Sequence, residues 1–162
     1  MPTSLAHTLH ETISREAPLL KALAEQHAAV KPNGGASWSP KQELGHLIDS
    51  AVNNHVRFVR ASLEPKLEAP GYQQDGWVDL HGYQEWPWPR VIAFWESQNA
   101  QLVELIQRIP AARLETPCAI GGNAPVTLRF LIEDYTLHMR HHIDHLLKRE
   151  KITQYPGAAL GV

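Results

Sequence analysis

Apolar residues recur at helical spacing in four stretches of the chain, and no stretch shows the strict alternation of a half-buried strand. The first stretch covers about 4–30, with Leu5, Leu9, Ile13, Leu20 and Leu23 as apolar positions and Pro18 as a site for a kink. The glycine-rich run at 31–35 breaks it. The second stretch opens on a strong start signal. Ser39 is a good N-cap, Pro40 takes the first helical position and Gln42 completes a capping box, which predicts a helix to about Leu63. A third helix is expected over about 89–108, with Val91, Phe94, Trp95, Leu102, Leu105 and Ile109 near helical spacing, and a fourth over about 127–150. The expected fold is an all-α four-helix bundle.

The connection at 64–88 is too long for a simple turn. It holds Tyr72, Trp77, Tyr83, Trp86 and Trp88 among prolines and glycines, with no helical period. Long loops in compact domains are usually functional or disordered, and this aromatic content favours a folded flap. Its length also favours a crossover topology over up-down-up-down. The stretch at 110–125 is irregular as well. With no internal repeat, residues 1–162 are expected to form one domain.

Composition narrows the function. Fifteen Lys and Arg against seventeen Asp and Glu give a net charge of -2 without a basic block, so nucleic-acid binding through a phosphate-neutralising patch is not expected. A single cysteine, Cys118, excludes an intramolecular disulfide and suits a reducing compartment. Residues 1–20 hold no apolar run of signal or transmembrane length, so a cytoplasmic protein without a membrane segment is expected.

The unusual feature is ten histidines in 162 residues, four of them (His138, His141, His142 and His145) within eight positions. On a helix whose apolar face is Leu128, Leu131, Ile132, Tyr135, Met139 and Leu146, His142 lies about 20° and His138 about 60° from the centre. His145 lies about 80° and His141 about 120° away, towards solvent. Imidazoles four residues apart can converge on one ion. Two are not a complete site, and hydrogen-bonded core histidines would show the same pattern. A third ligand from the second helix would be His55 or His46. Periodicity favours His55, which falls with Leu44, Ile48, Ala51 and Val59. His46 falls on a polar stripe with Glu43, Ser50, Asn53 and Arg57, which is either a solvated face or the wall of a polar cleft.

Taken together, these residues form a known constellation. Trp38-Ser-Pro-Lys-Gln-Glu-Leu-Gly-His46-Leu-Ile-Asp49, then Tyr72, Trp77 and Leu80, then Tyr135-Thr-Leu-His138-Met-Arg-His141-His142-Ile-Asp-His145 resemble, in order, the motifs of the DinB-like four-helix metalloprotein superfamily and its YfiT-like branch. Leu137 departs from the usual Trp of that branch and bears on pocket shape. The resemblance implies a divalent ion, zinc or nickel, held by His46, His138 and His142. It also implies pocket or supporting roles for His145, Tyr135, Asn53 and Arg57. It leaves His55 to the core or an interface and His141 to solvent. A homodimer is implied too, and the rings of Trp86, Trp88, Phe94 and Trp95 suit an interface.

Three neutral imidazoles leave the ion's charge uncompensated and a coordination position open, which would acidify a bound water or thiol. Relatives include enzymes described as metal-dependent hydrolases and others resembling bacillithiol, mycothiol or glutathione S-transferases. Two enzymatic expectations follow. A small low-molecular-weight thiol could be activated for S-transfer to an electrophilic small molecule, or metal-bound hydroxide could hydrolyse one. A non-catalytic metal-binding stress protein is the third. Glu43, Asp49 and Asp134 are the candidate general bases. None is securely placed by sequence, which tilts the expectation towards thiol transfer, a reaction that needs no base.

Overall fold

The capping box at Ser39 forms. Ser39 Oγ accepts from the Gln42 backbone N–H at 3.2 Å, and Gln42 Oε1 accepts from the Ser39 N–H at 3.2 Å. From this cap helix α3 runs over Pro40–Leu63. In the computed structural model, which describes residues 1–150 and 152–155, it is one of four long helices, with α1 (Pro2–Ala22), α5 (Trp88–Arg108) and α6 (Leu128–Leu146). A short α2 (Glu25–Ala28) follows α1, because Leu23 turns extended and ends the first helix well before residue 30. Thr127 caps α6 through its hydroxyl, which accepts from the Phe130 N–H at 3.1 Å.

The bundle is a crossover one. α1 packs against α5 and α6, and α3 packs against the same two, so α1 and α3 sit diagonally across the bundle, as do α5 and α6. Leu9, Leu20, Leu44, Leu47, Trp95 and Leu131 are among the side chains filling the space between them.

The connections correct the sequence reading in one respect. Residues 64–88 hold a strand, β1 (Leu67–Ala69), and a helix, α4 (Gln74–His81), closed by Gly82 at φ 65°. β1 pairs in parallel with β2 (Pro117–Ile120), which pairs antiparallel with β3 (Val126–Thr127). Strands of three, four and two residues are too short to show a period of two, so pattern could not reveal them. Cys118 lies buried in β2, and burial pushes its thiol up to about 11, which makes it a packing residue.

The strap formed by residues 70–87 is pinned to α3. The Ser39 hydroxyl donates to Gln84 Oε1 at 2.6 Å, and the Tyr83 hydroxyl donates to Asp49 Oδ1 at 2.7 Å. Gly45 permits this approach: a Cβ there would stand 2.1 Å from Tyr83 Cδ2, against a ring that is buried and tethered. Gly45→Ala is expected to destabilise the fold by about 1–3 kcal/mol in denaturant titration, because Tyr83 cannot yield without losing Asp49.

Trp88 and Trp95 are core residues, and Trp86 is half-buried beneath the Arg90 guanidinium, 3.6 Å from its ring centre. The chain's own core and strap thus absorb most of the aromatic cluster, leaving Phe94 the most exposed of the four rings. No helix among the described residues is long and apolar enough to cross a membrane.

Candidate metal centre

Every residue from Lys41 to Ala51 is buried, although six of these eleven positions are polar. α3 is covered on one side by α5 and α6 and on another by α4 and the strap. Its polar stripe therefore faces protein. That is why His46 is fully buried where periodicity suggested solvent, and why His55, favoured by periodicity, is only half-buried and outside the cluster.

α6 brings His138 and His142 to His46. One ring nitrogen from each of the three lies within 4.8 Å of the others. His46 Nε2 and His138 Nε2 are 3.2 Å apart. Donor atoms about 2.0–2.1 Å from a tetrahedral ion stand roughly 3.3–3.4 Å from one another. Burial pushes His46 down to about 3, with the neighbouring His142 adding to the effect, and holds His138 well below the usual imidazole range for the same first reason. Both rings are therefore neutral. The Nδ1 atoms of His46 and His138 are buried without a partner. Two buried neutral rings meeting Nε2 to Nε2, each with an unpartnered Nδ1, suit a cation between them better than they suit each other.

His142 is held from behind. Its Nδ1 lies 2.9 Å from Glu43 Oε1, which leaves Nε2 free, and the same oxygen lies 2.8 Å from His145 Nδ1. Glu43 is 4% exposed, whereas His145 stands at the rim with its side chain 67% exposed. Trp38 stacks at a tilt over His46, ring centres 5.1 Å apart. Trp38, Glu43, Asp75, His141, His142 and His145 line a cleft of about 390 Å3 at the mouth of the cluster.

The other expected residues stand elsewhere. Asp49 is buried but committed to Tyr83 and to His81, whose Nδ1 is 2.9 Å away. Asp134 is 3.5 Å from the Tyr155 hydroxyl and does not support His138, whose Nδ1 is unpartnered. Tyr135 is a core residue, its hydroxyl donating to Asn99 Oδ1 at 2.5 Å. Asn53 donates to the Asp49 carbonyl at 2.9 Å, and Arg57 to the Pro70 carbonyl at 3.2 Å. His141 is half-buried rather than solvated, its ring 5.3 Å from His142 and 5.5 Å from Tyr155. Two neighbours were missed as site residues: Trp38, which the opening motif contains, and Tyr155, 5.7 Å from His138, for which no sequence signal exists.

Burial raises the Asp134 carboxyl from 3.8 to about 6. The folded state therefore binds this proton more tightly than the unfolded chain, and stability falls as pH rises from about 4 to about 6. Asp134→Asn is expected to raise unfolding free energy by about 1–3 kcal/mol at pH 8 and to change it little at pH 4, as denaturant titration at the two pH values would show.

A Bacillus mycoides (strain KBAB4) protein named "Putative metal-dependent hydrolase" is 26% identical over 129 residues, spanning 79% of this chain and 74% of the relative. A Bacillus cereus (strain AH820) protein of the same name is 25% identical over 135 residues, 82% of this chain and 78% of that one. Among solved structures, YfiT from Bacillus subtilis, described as a probable metal-dependent hydrolase with an unusual four-helix bundle topology, superposes with a TM-score of 0.77 at 18% identity, covering 91% of this chain and 84% of YfiT. That likeness establishes the shared fold. The DinB superfamily model matches residues 8–146, and the chain belongs to the DinB superfamily.

Proposed function

We propose that the protein is a divalent-metal-dependent hydrolase of small molecules, with His46, His138 and His142 holding the ion. The observation that carries this reading is Glu43, a buried carboxylate shared between an inward histidine of the cluster and the cleft-rim His145. When bound, the ion supplies Lewis acidity and brings the pKa of a coordinated water near neutrality. Glu43 fixes the His142 ring and its tautomer. Glu43 and His145 together offer a proton acceptor at the mouth of the cleft, which bond hydrolysis uses and which thiol transfer does not need. The hydrolase names of the relatives point the same way. Three imidazoles suit zinc or nickel over magnesium or calcium, which prefer oxygen donors. For the proposed homodimer, the support left is Phe94 beside the half-buried Trp86.

The test is a panel of nitrophenyl esters and anilides with zinc- or nickel-loaded protein. Turnover is expected to disappear on chelation and to return with metal. Metal-dependent conjugation of a small thiol without any hydrolysis would replace this reading with the S-transfer one.

A further inference from the structure

Beyond His46 the polar stripe of α3 continues, and it holds a charge the metal cluster does not explain. At 100° per residue, Asn53 and Arg57 lie within about 20° of the line through His46, and Ser50 within about 40°. Ser50 and Arg57 are buried, Arg57 to 3% exposure. Its guanidinium makes one hydrogen bond, from Nη2 to the Pro70 carbonyl. Nη1 is buried without a partner, and none of the ion pairs among the described residues includes Arg57. The Tyr72 hydroxyl lies beside Ser50 and within the field of Arg57, and it too lacks a hydrogen bond of good geometry. The natural counter-ion, Asp49, is bound instead to Tyr83 and His81.

A buried cation without a counter-ion is costly, and water can supply a hydrogen bond but no charge. We infer that Arg57 and Tyr72 form a recognition site for the carboxylate end of an elongated small molecule whose other end reaches the histidine cluster. The identity of that molecule as the substrate rests on the proposed function. A monoanion is specified over a phosphate dianion, because one guanidinium edge and one hydroxyl are available with the Asp49 carboxylate nearby. Eleven residues separate His46 from Arg57, about 16 Å along the helix, so the occupant is extended. Asp49 Oδ2 and Asn54 Oδ1, buried and unpartnered on the intervening turns, match N–H groups and favour an amide-bearing acid. Pro70, Gly71 and Gln73 flank Tyr72 as exposed residues, so this end of the site lies close to the surface.

Calorimetric titration with hippurate, an amide-bearing monocarboxylate, and with the uncharged hippuramide tests this. Wild-type protein is expected to bind hippurate more tightly than hippuramide, with or without zinc. Arg57→Gln should weaken hippurate at least tenfold and leave hippuramide unchanged, and Arg57→Lys should fall between. Zinc content should be the same in all three proteins. Arg57→Lys carries the comparison if the Gln variant does not fold. Equal affinity of wild type for the two ligands, parallel loss of both in the variants, or no loss of hippurate in either variant would overturn the inference. Absence of zinc from wild type with the carboxylate preference intact would instead refute the metal reading alone.

Discussion

His138→Ala protein, loaded with zinc and desalted, is expected to retain far less than one ion per chain, and His46→Ala and His142→Ala to behave alike. Each removal leaves two imidazoles, an incomplete set for an ion that takes at least three protein ligands in a catalytic site. His141→Ala and His55→Ala should keep one ion, since neither belongs to the cluster. A thermal readout separates metal loss from misfolding. Zinc at one hundred times its Kd stabilises a binding-competent fold by about 2.7 kcal/mol, so wild type, His141→Ala and His55→Ala should gain in Tm and the three ligand variants should not. Stoichiometric zinc in all three ligand variants would reduce the cluster to a structural feature.

Glu43→Gln is the second large effect. The substitution keeps the shape and removes the charge that faces both His142 and His145. Zinc affinity should fall about 10–100-fold, the usual cost of losing a carboxylate behind a ligating histidine. Hydrolysis should fall further than affinity explains when measured at saturating zinc, because the proton acceptor is lost as well. His145→Ala should separate the two roles, with zinc affinity near wild type and turnover reduced. Competition against a chromophoric chelator gives the first quantity and steady-state rates the second. Unchanged affinity in Glu43→Gln would remove Glu43 from the site.

The long helices were legible because their signals are local. The Ser39 capping box and the aliphatic period of α5 each act within a few residues of the element they define. The inward pair His138 and His142 was legible for the same reason. His46 was not legible from periodicity, since the α3 polar stripe becomes interior only after α4, α6 and the strap close over it. Family resemblance pointed to His46 where the wheel could not. Glu43 stood among three candidate carboxylates until the fold set its oxygen beside two imidazoles and set Asp49 and Asp134 beside tyrosines. The strands and α4 escaped notice because eight or fewer residues carry too little period.

The central claim is that three histidines from two helices hold one divalent ion. Anomalous diffraction at the zinc edge, from crystals of zinc-loaded wild-type protein, tests it most directly. One peak within bonding distance of a ring nitrogen of each of His46, His138 and His142, with Glu43 behind His142, is the expected result. A peak seated instead among Glu43, His141 and His145, or no ordered peak in fully loaded protein, would contradict it.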